Sequence, residues 1–157
     1  MNTQIRKTVL CLVALFVCCN AAFAQMLDPV KWKQELKMVS DTEAILIFST
    51  TIDEGWHLYT TNQPDGGPLP ATISFDVLEG AELVGELTEV GEVHAGYDAM
   101  FEMVLCFFLR KGQFLQRLTI ADPQNYKIEG LLEGQACCEG AYVPVESPFK
   151  FAEGVYK

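Results

Sequence analysis

The chain has 157 residues, of which 50% are hydrophobic and 20% charged, and its formal net charge is -10. This length suits a single domain, and the composition is far from that of a disordered protein. The excess of acidic side chains argues against nucleic acid or anionic lipid as the main partner, because both are bound by basic surfaces.

The N-terminus has the pattern of a secretory signal peptide. The basic pair Arg6-Lys7 precedes an unbroken apolar run, Val9–Cys19, which is too short to span a bilayer. The small residues of Ala22-Phe23-Ala24 then predict a cleavage site. We therefore predict a cleaved signal peptide over residues 1–24 and one domain over residues 25–157, in the periplasm or outside the cell.

Cleavage would change the meaning of the cysteine count. Six cysteines suggest a disulfide framework, but three of them precede residue 25. The other three, Cys106, Cys137 and Cys138, are an odd number, which leaves at least one thiol unpaired in an oxidising compartment. The fold is therefore expected to depend on its hydrophobic core.

The rest of the chain alternates short β-prone segments with turn residues. Three prolines and two glycines between Asn62 and Pro70 predict a loop. Strands are predicted over Ala44–Ile52, Trp56–Thr60, Thr72–Val77, Leu83–Leu87, Met100–Leu109, Gln113–Ile120, Tyr126–Leu132 and Tyr142–Phe151. Since no segment has strong helical periodicity, we predict an all-β fold, an immunoglobulin-like antiparallel β-sandwich.

The adjacent Cys137 and Cys138 are the strongest candidates for chemistry. Gly134, Gly140 and Pro144 surround them and predict a short, exposed loop, where a reactive thiol could meet a partner protein. Adjacent thiols could close a strained disulfide that is easily reduced. In the alternative interpretation, one thiol is a small buried apolar group and the other is incidental.

The remaining cysteine and the histidines are weaker candidates. Cys106 lies in an apolar strand and is expected in the core, although a bridge to Cys137 or Cys138 stays open. His57 is expected to be structural and His94 solvated, and neither has the paired spacing of zinc ligands. We therefore predict no metal site and no cofactor.

Five short segments are informative through their order and spacing. They are Asp28–Trp32, Gly55–Tyr59, Gly66–Pro70, Tyr97-Asp98 followed by Phe101–Met103, and the cysteine-bearing segment that ends in Val143-Pro144. Together they resemble the N-terminal periplasmic domain of the thiol:disulfide interchange protein DsbD, a family also known as disulfide bond corrector protein DsbC. The resemblance covers about Asp28 to Phe151.

The resemblance implies thiol–disulfide exchange. Such a domain takes electrons from a membrane-embedded disulfide reductase and passes them to periplasmic disulfide isomerases and related thiol proteins through a mixed disulfide. The implied partners are thioredoxin-like or membrane-embedded disulfide reductase proteins. Cys137 matches the first family cysteine, whereas Tyr142 occupies the position of the second. The domain would then have to use Cys138, form intermolecular bonds alone, or carry no redox activity.

The resemblance also implies a partner-binding region. Tyr59 matches an aromatic residue beside the family's active site, and the segment from His94 through Tyr97 to Asp98 matches a cap loop that shields the cysteines until a partner docks. With Tyr142, these residues are the predicted binding residues. Two functions follow: disulfide exchange through Cys137 and Cys138, or a redox-inactive sandwich module that binds a protein partner at the cap-loop end.

Overall fold

The computed structural model describes residues 27–157, so the predicted signal peptide lies outside the described residues. These residues form ten strands and a final short 3-10 helix, Gly154–Tyr156. The strands are β1 Val30–Met38, β2 Glu43–Ile52, β3 His57–Tyr59, β4 Thr72–Glu79, β5 Ala81–Val90, β6 His94–Asp98, β7 Met103–Phe108, β8 Lys111–Ile120, β9 Tyr126–Cys138 and β10 Ala141–Glu153. In this part of the chain no helix has the length and apolarity needed to cross a membrane.

The strands form two sheets that pack as a sandwich. The first sheet has the order β1-β2-β8-β5, and the second has the order β10-β9-β3-β7-β6, with β4 also pairing with β9. All the strand pairs are antiparallel. The predicted all-β, immunoglobulin-like antiparallel sandwich is confirmed.

The core forms because alternate side chains of each strand point to the same face. On β2, Ala44, Leu46 and Phe48 are buried, while the residues between them are partly exposed. The ring of Phe48 meets the ring of Phe149 from the second sheet edge to face, with centroids 5.2 Å apart. Aromatic contacts of this kind join the two sheets.

The structure differs from the predicted strands at β1, β6 and β9. β1 was not predicted, because charged side chains such as Lys31 and Lys37 interrupt its apolar pattern, yet it pairs with β2 along its whole length. Its charges are tolerated because β1 is an edge strand of the first sheet. The segment His94–Asp98, matched above to a cap loop, forms strand β6, and β9 is much longer than predicted and includes both Cys137 and Cys138.

The predicted loop between Asn62 and Pro70 is confirmed, and it supports β7. The Gln63 side chain donates from Nε2 to the Cys106 carbonyl over 2.5 Å and accepts from the Cys106 amide at Oε1 over 3.2 Å. The side-chain amide thus continues the pairing that β3 begins. Cys106 itself is half-buried rather than enclosed in the core, and it is a free thiol.

Candidate functional site

The predicted exposed loop around the cysteines is instead a tight β-hairpin. β9 and β10 pair up to the contact between Cys138 and Ala141, so that Glu139 and Gly140 alone form the turn. Both turn residues have positive φ, 45° and 82°, as a two-residue type I′ turn requires. Glycine suits such a conformation, and the pattern Glu-Gly between β-prone residues was the signal that could have revealed the hairpin.

The hairpin separates the two adjacent thiols. Because successive side chains of a strand point to opposite faces, Cys137 and Cys138 lie on opposite sides of the sheet. Cys137 is 7% exposed, whereas Cys138 is half-buried and its Sγ packs beside Gly55. Both cysteines are free thiols, and their opposite orientation is incompatible with the vicinal disulfide considered above.

Cys137 lies at a pocket of about 290 Å³ on the face of the second sheet that points away from the main core. The pocket is lined by residues of β3, β6, β7 and the β9–β10 hairpin. Four of the predicted binding residues line it together with Cys137, namely Tyr59, Tyr97, Asp98 and Tyr142. The structure therefore brings most of the predicted site together.

Two predicted site residues lie elsewhere. Cys138 does not line this pocket, because it points to the other face. His94 lines a separate, wider cleft of about 680 Å³, between Ser49–Thr51 of β2 and the end of β5. His94 still approaches the site indirectly, since its ring centroid is 6.2 Å from that of Phe107, a pocket residue.

A buried hydrogen bond fixes the Cys137 thiol. The Tyr59 hydroxyl donates to Cys137 Sγ over 3.1 Å, and Tyr59 is 1% exposed. Burial raises the pKa of Cys137, the Tyr59 hydrogen bond partly opposes this, and the Asp98 carboxylate raises the pKa again. Burial and the contact with Cys137 also raise the pKa of Tyr59, so both groups are protonated at neutral pH.

Tyr142, at the position where the resemblance places a second cysteine, directly faces the thiol. Tyr142 on β10 pairs across the hairpin with Cys137 on β9. Its hydroxyl donates to both oxygens of Asp98, over 3.2 and 3.4 Å, and its ring meets Phe101 edge to face at 5.6 Å. Asp98 also accepts from the amides of Met100 and Phe101, so it links the β6–β7 turn to β10.

His57 forms another wall of the pocket. Its ring stacks on that of Phe107, with centroids 4.3 Å apart and planes 3° from parallel. Burial and the nearby His94 lower the pKa of His57, while Asp98 raises it. Since His57 lies opposite Cys137 in the strand register, a neutral imidazole borders the thiol at neutral pH.

Aromatic residues of β7 and its preceding turn complete the site and were missed in the sequence. Phe101 and Phe107 pack with Leu105 against Tyr59 and Cys137 in a small second core. Positions 101, 103, 105 and 107 share one face of the strand, but residues 103–109 are an unbroken apolar run, so the sequence does not show which face is buried. Among the described residues that line the pocket, Asp98 and Glu139 carry negative charge and none is Lys or Arg.

Replacing Tyr59 by Phe is expected to make Cys137 less reactive. The variant removes the hydrogen bond that stabilises the thiolate, so the pKa of Cys137 should rise further above its ordinary value. At a fixed pH below this pKa, the alkylation rate should fall about tenfold if the pKa rises by about one unit. The measurement is iodoacetamide alkylation against pH, with Cys106 and Cys138 replaced by Ser in both proteins. An unchanged pH profile would contradict the assigned role of Tyr59.

Comparison with known proteins identifies the fold. No protein-family model matches the chain, and no curated protein matches it by sequence. The N-terminal periplasmic domain of ScsB from Proteus mirabilis matches with a TM-score of 0.60 and 12% identity, over 82% of this chain and 48% of that chain. The chain thus spans about half the length of that structure and shares its fold.

Two further solved structures match less well. The GAE domain of yeast GGA1 has a TM-score of 0.45 and 10% identity, over 82% of this chain and 96% of that chain. A structure of the complex between the DsbD N-terminal and PilB N-terminal domains of Neisseria meningitidis has a TM-score of 0.42 and 19% identity, over 80% of this chain and 87% of that chain.

Proposed function

We propose that this chain is a periplasmic or secreted domain that exchanges disulfides with a thioredoxin-like partner through Cys137. The observation that carries the proposal is the position of Cys137, whose thiol lies at a pocket and is held there by the Tyr59 hydroxyl. The DsbD N-terminal domain named in one matching structure forms a complex with the PilB N-terminal domain, which supports a protein partner for this chain.

The exchange needs one thiol from this chain and dithiols from its partners. The Cys137 thiolate attacks one sulfur of an oxidised partner, so a mixed disulfide forms, the partner's own disulfide breaks, and its second sulfur leaves as a thiolate. A dithiol reductase then attacks the Cys137 sulfur, which releases the reduced partner. The second thiol of the reductase breaks the new mixed disulfide and restores the Cys137 thiol. Two electrons pass from reductase to partner.

The neighbours of Cys137 have separate roles in this scheme. Tyr59 stabilises the thiolate through its hydrogen bond, which offsets part of the cost of burying the charge. Tyr142 is tied to Asp98 and covers Cys137, so the thiol is exposed when that contact opens. Cys138 points to the other face and takes no part in the exchange.

A second function is favoured by the same pocket. Cys137 is buried with a raised pKa and faces Tyr142 rather than a thiol, which are properties of an inert cysteine. In this case the chain is a redox-inactive module that binds a protein partner at the same end of the sandwich. The two functions differ in whether binding requires the sulfur of Cys137.

A trapping experiment distinguishes them. The probe is a thioredoxin whose second active-site cysteine is replaced by Ser and whose first is activated as a mixed disulfide with thionitrobenzoate. We expect a covalent complex with the wild-type protein and with Cys138→Ser, but none with Cys137→Ser. Non-reducing gel electrophoresis and mass spectrometry identify the linked cysteine.

A further variant tests whether Tyr142 limits access to Cys137. Tyr142→Phe removes the hydroxyl bonded to Asp98 while keeping the ring, and it should form the complex several times faster if this contact limits access. Absence of a covalent complex in every variant would refute exchange through Cys137. Equal, reversible binding of wild-type and Cys137→Ser proteins to unmodified thioredoxin would then support the binding module.

A further inference from the structure

The β6–β7 hairpin is apolar on both of its faces, but one face alone is covered. On the covered face, Leu105 and Phe107 pack near Tyr59 and Cys137. On the other face, Tyr97 and Val104 lie directly opposite each other across the hairpin, 69% and 56% exposed. Tyr97 and Val104 thus form a small exposed apolar patch on the uncovered face of the hairpin.

β6 is also an open edge of the second sheet. Among the described residues it pairs with β7 on one side, and no backbone hydrogen bond from another described strand or loop reaches its other side. Its sequence, His94–Asp98, contains no proline and no lysine, and its register with β7 is unbroken. Edge strands that must stay unpaired usually carry a proline, a lysine or a bulge that blocks pairing. Because β6 has none of these, another strand can be added to it.

The charge around β6 limits what can bind there. Residues 91–108 contain three acidic side chains, Glu92, Asp98 and Glu102, and no Lys or Arg. In a symmetric pair of copies, the same acidic edge would face itself, and like charges opposite one another are destabilising. A positively charged segment would instead gain attraction from every acidic side chain at the edge.

We propose that β6 binds an extended, positively charged segment of a partner protein by strand addition. The segment would pair its backbone with the free side of β6 and alternate apolar side chains, which contact Tyr97 and Val104, with Lys or Arg side chains near Glu92 and Glu102. This binding uses the backbone of β6 and the exposed side chains of Tyr97 and Val104, so it does not require the sulfur of Cys137.

The test uses two synthetic nine-residue peptides, one alternating Val with Lys and one alternating Val with Glu. They are titrated into the isotope-labelled protein and followed by NMR. We expect saturable shifts of the amides of residues 94–98 with the Val-Lys peptide, and binding that is about tenfold or more weaker with the Val-Glu peptide. N-methylation of alternate peptide amides should abolish binding, because it removes the donors needed for pairing.

Matched variants locate the surface. Val104→Thr keeps the shape of the side chain and the fold, and Tyr97→Lys adds repulsion, so together they should weaken binding of the Val-Lys peptide about tenfold. Val84→Lys, at an exposed position of β5 in the other sheet, should leave it unchanged. Cys137→Ser should also bind normally, which separates this proposal from the one on disulfide exchange.

Three results would overturn the proposal. The first is equal affinity for the two peptides, and the second is peptide shifts that map away from β6. The third is a concentration-dependent dimer of the free protein with β6 at its interface, because a second copy would then be the occupant. The sedimentation behaviour of the unliganded protein tests that last outcome directly.

Discussion

Tyr142→Cys is expected to turn the protein into a dithiol that closes an intramolecular disulfide. The substitution puts a thiol directly opposite Cys137, in the non-hydrogen-bonded pair next to the one that closes the turn. Cβ atoms in such a pair lie about 4.5 Å apart, within reach of a disulfide. Mild oxidation should then remove two free thiols from the variant and none from the wild-type protein. Thiol titration and intact mass, before and after oxidation, measure this difference.

The same variant should change the exchange reaction most strongly. A resolving thiol in the same molecule replaces a dissolved one, so turnover with an oxidised thioredoxin and a dithiol reductant should rise by about 100-fold or more. Tyr142→Ser is the matched control, since it removes the ring and the bond to Asp98 without adding a thiol. If the Ser variant gained as much activity, access to Cys137 rather than a second thiol would be limiting.

Gly130→Ala is expected to be the most damaging small substitution in the second sheet. A Cβ at Gly130 would lie 2.1 Å from the Ser74 carbonyl oxygen and 2.7 Å from Cζ of Phe149. The carbonyl belongs to β4, which pairs with β9 at this point, so the backbone of β4 would have to shift. We expect a loss of about 3 kcal/mol or more in the free energy of unfolding.

Gly134→Ala, on the same strand, is the control for this prediction. A Cβ there would lie 3.6 Å from the nearest atom, a methyl carbon of Val145, which is an ordinary contact. This variant should stay within about 1 kcal/mol of the wild-type protein, because it also restricts the unfolded chain. Urea unfolding midpoints of the two variants test the difference, and equal midpoints would mean that β4 accommodates the Gly130 substitution without cost.

Much of the fold could be predicted because its strands follow a local pattern. β2 alternates buried and exposed side chains, and this period of two is visible in the sequence. β1 escaped prediction because its alternating charges suit an edge strand, and the position of a strand within a sheet is a property of the tertiary structure.

The candidate site was predictable in composition but not in arrangement. Cys137, Tyr59, Asp98 and Tyr142 come from separate strands, and the resemblance to a known family assigned them to one region. The exposure of the cysteines was predicted wrongly, because glycines and a proline near them suggested a loop. Glu139 and Gly140 instead make a two-residue turn, and the strands on either side bury Cys137.

That turn fixes the neighbour of the thiol together with the core. With two residues in the turn, Tyr142 faces Cys137, and Ala141 faces Cys138. Because side chains alternate from one face to the other, a slip of β10 by one residue would turn the buried Val145 and Phe149 out of the core. The core therefore holds the register, so the residue opposite Cys137 can be exchanged by a substitution at position 142 but not by lengthening or shortening the turn.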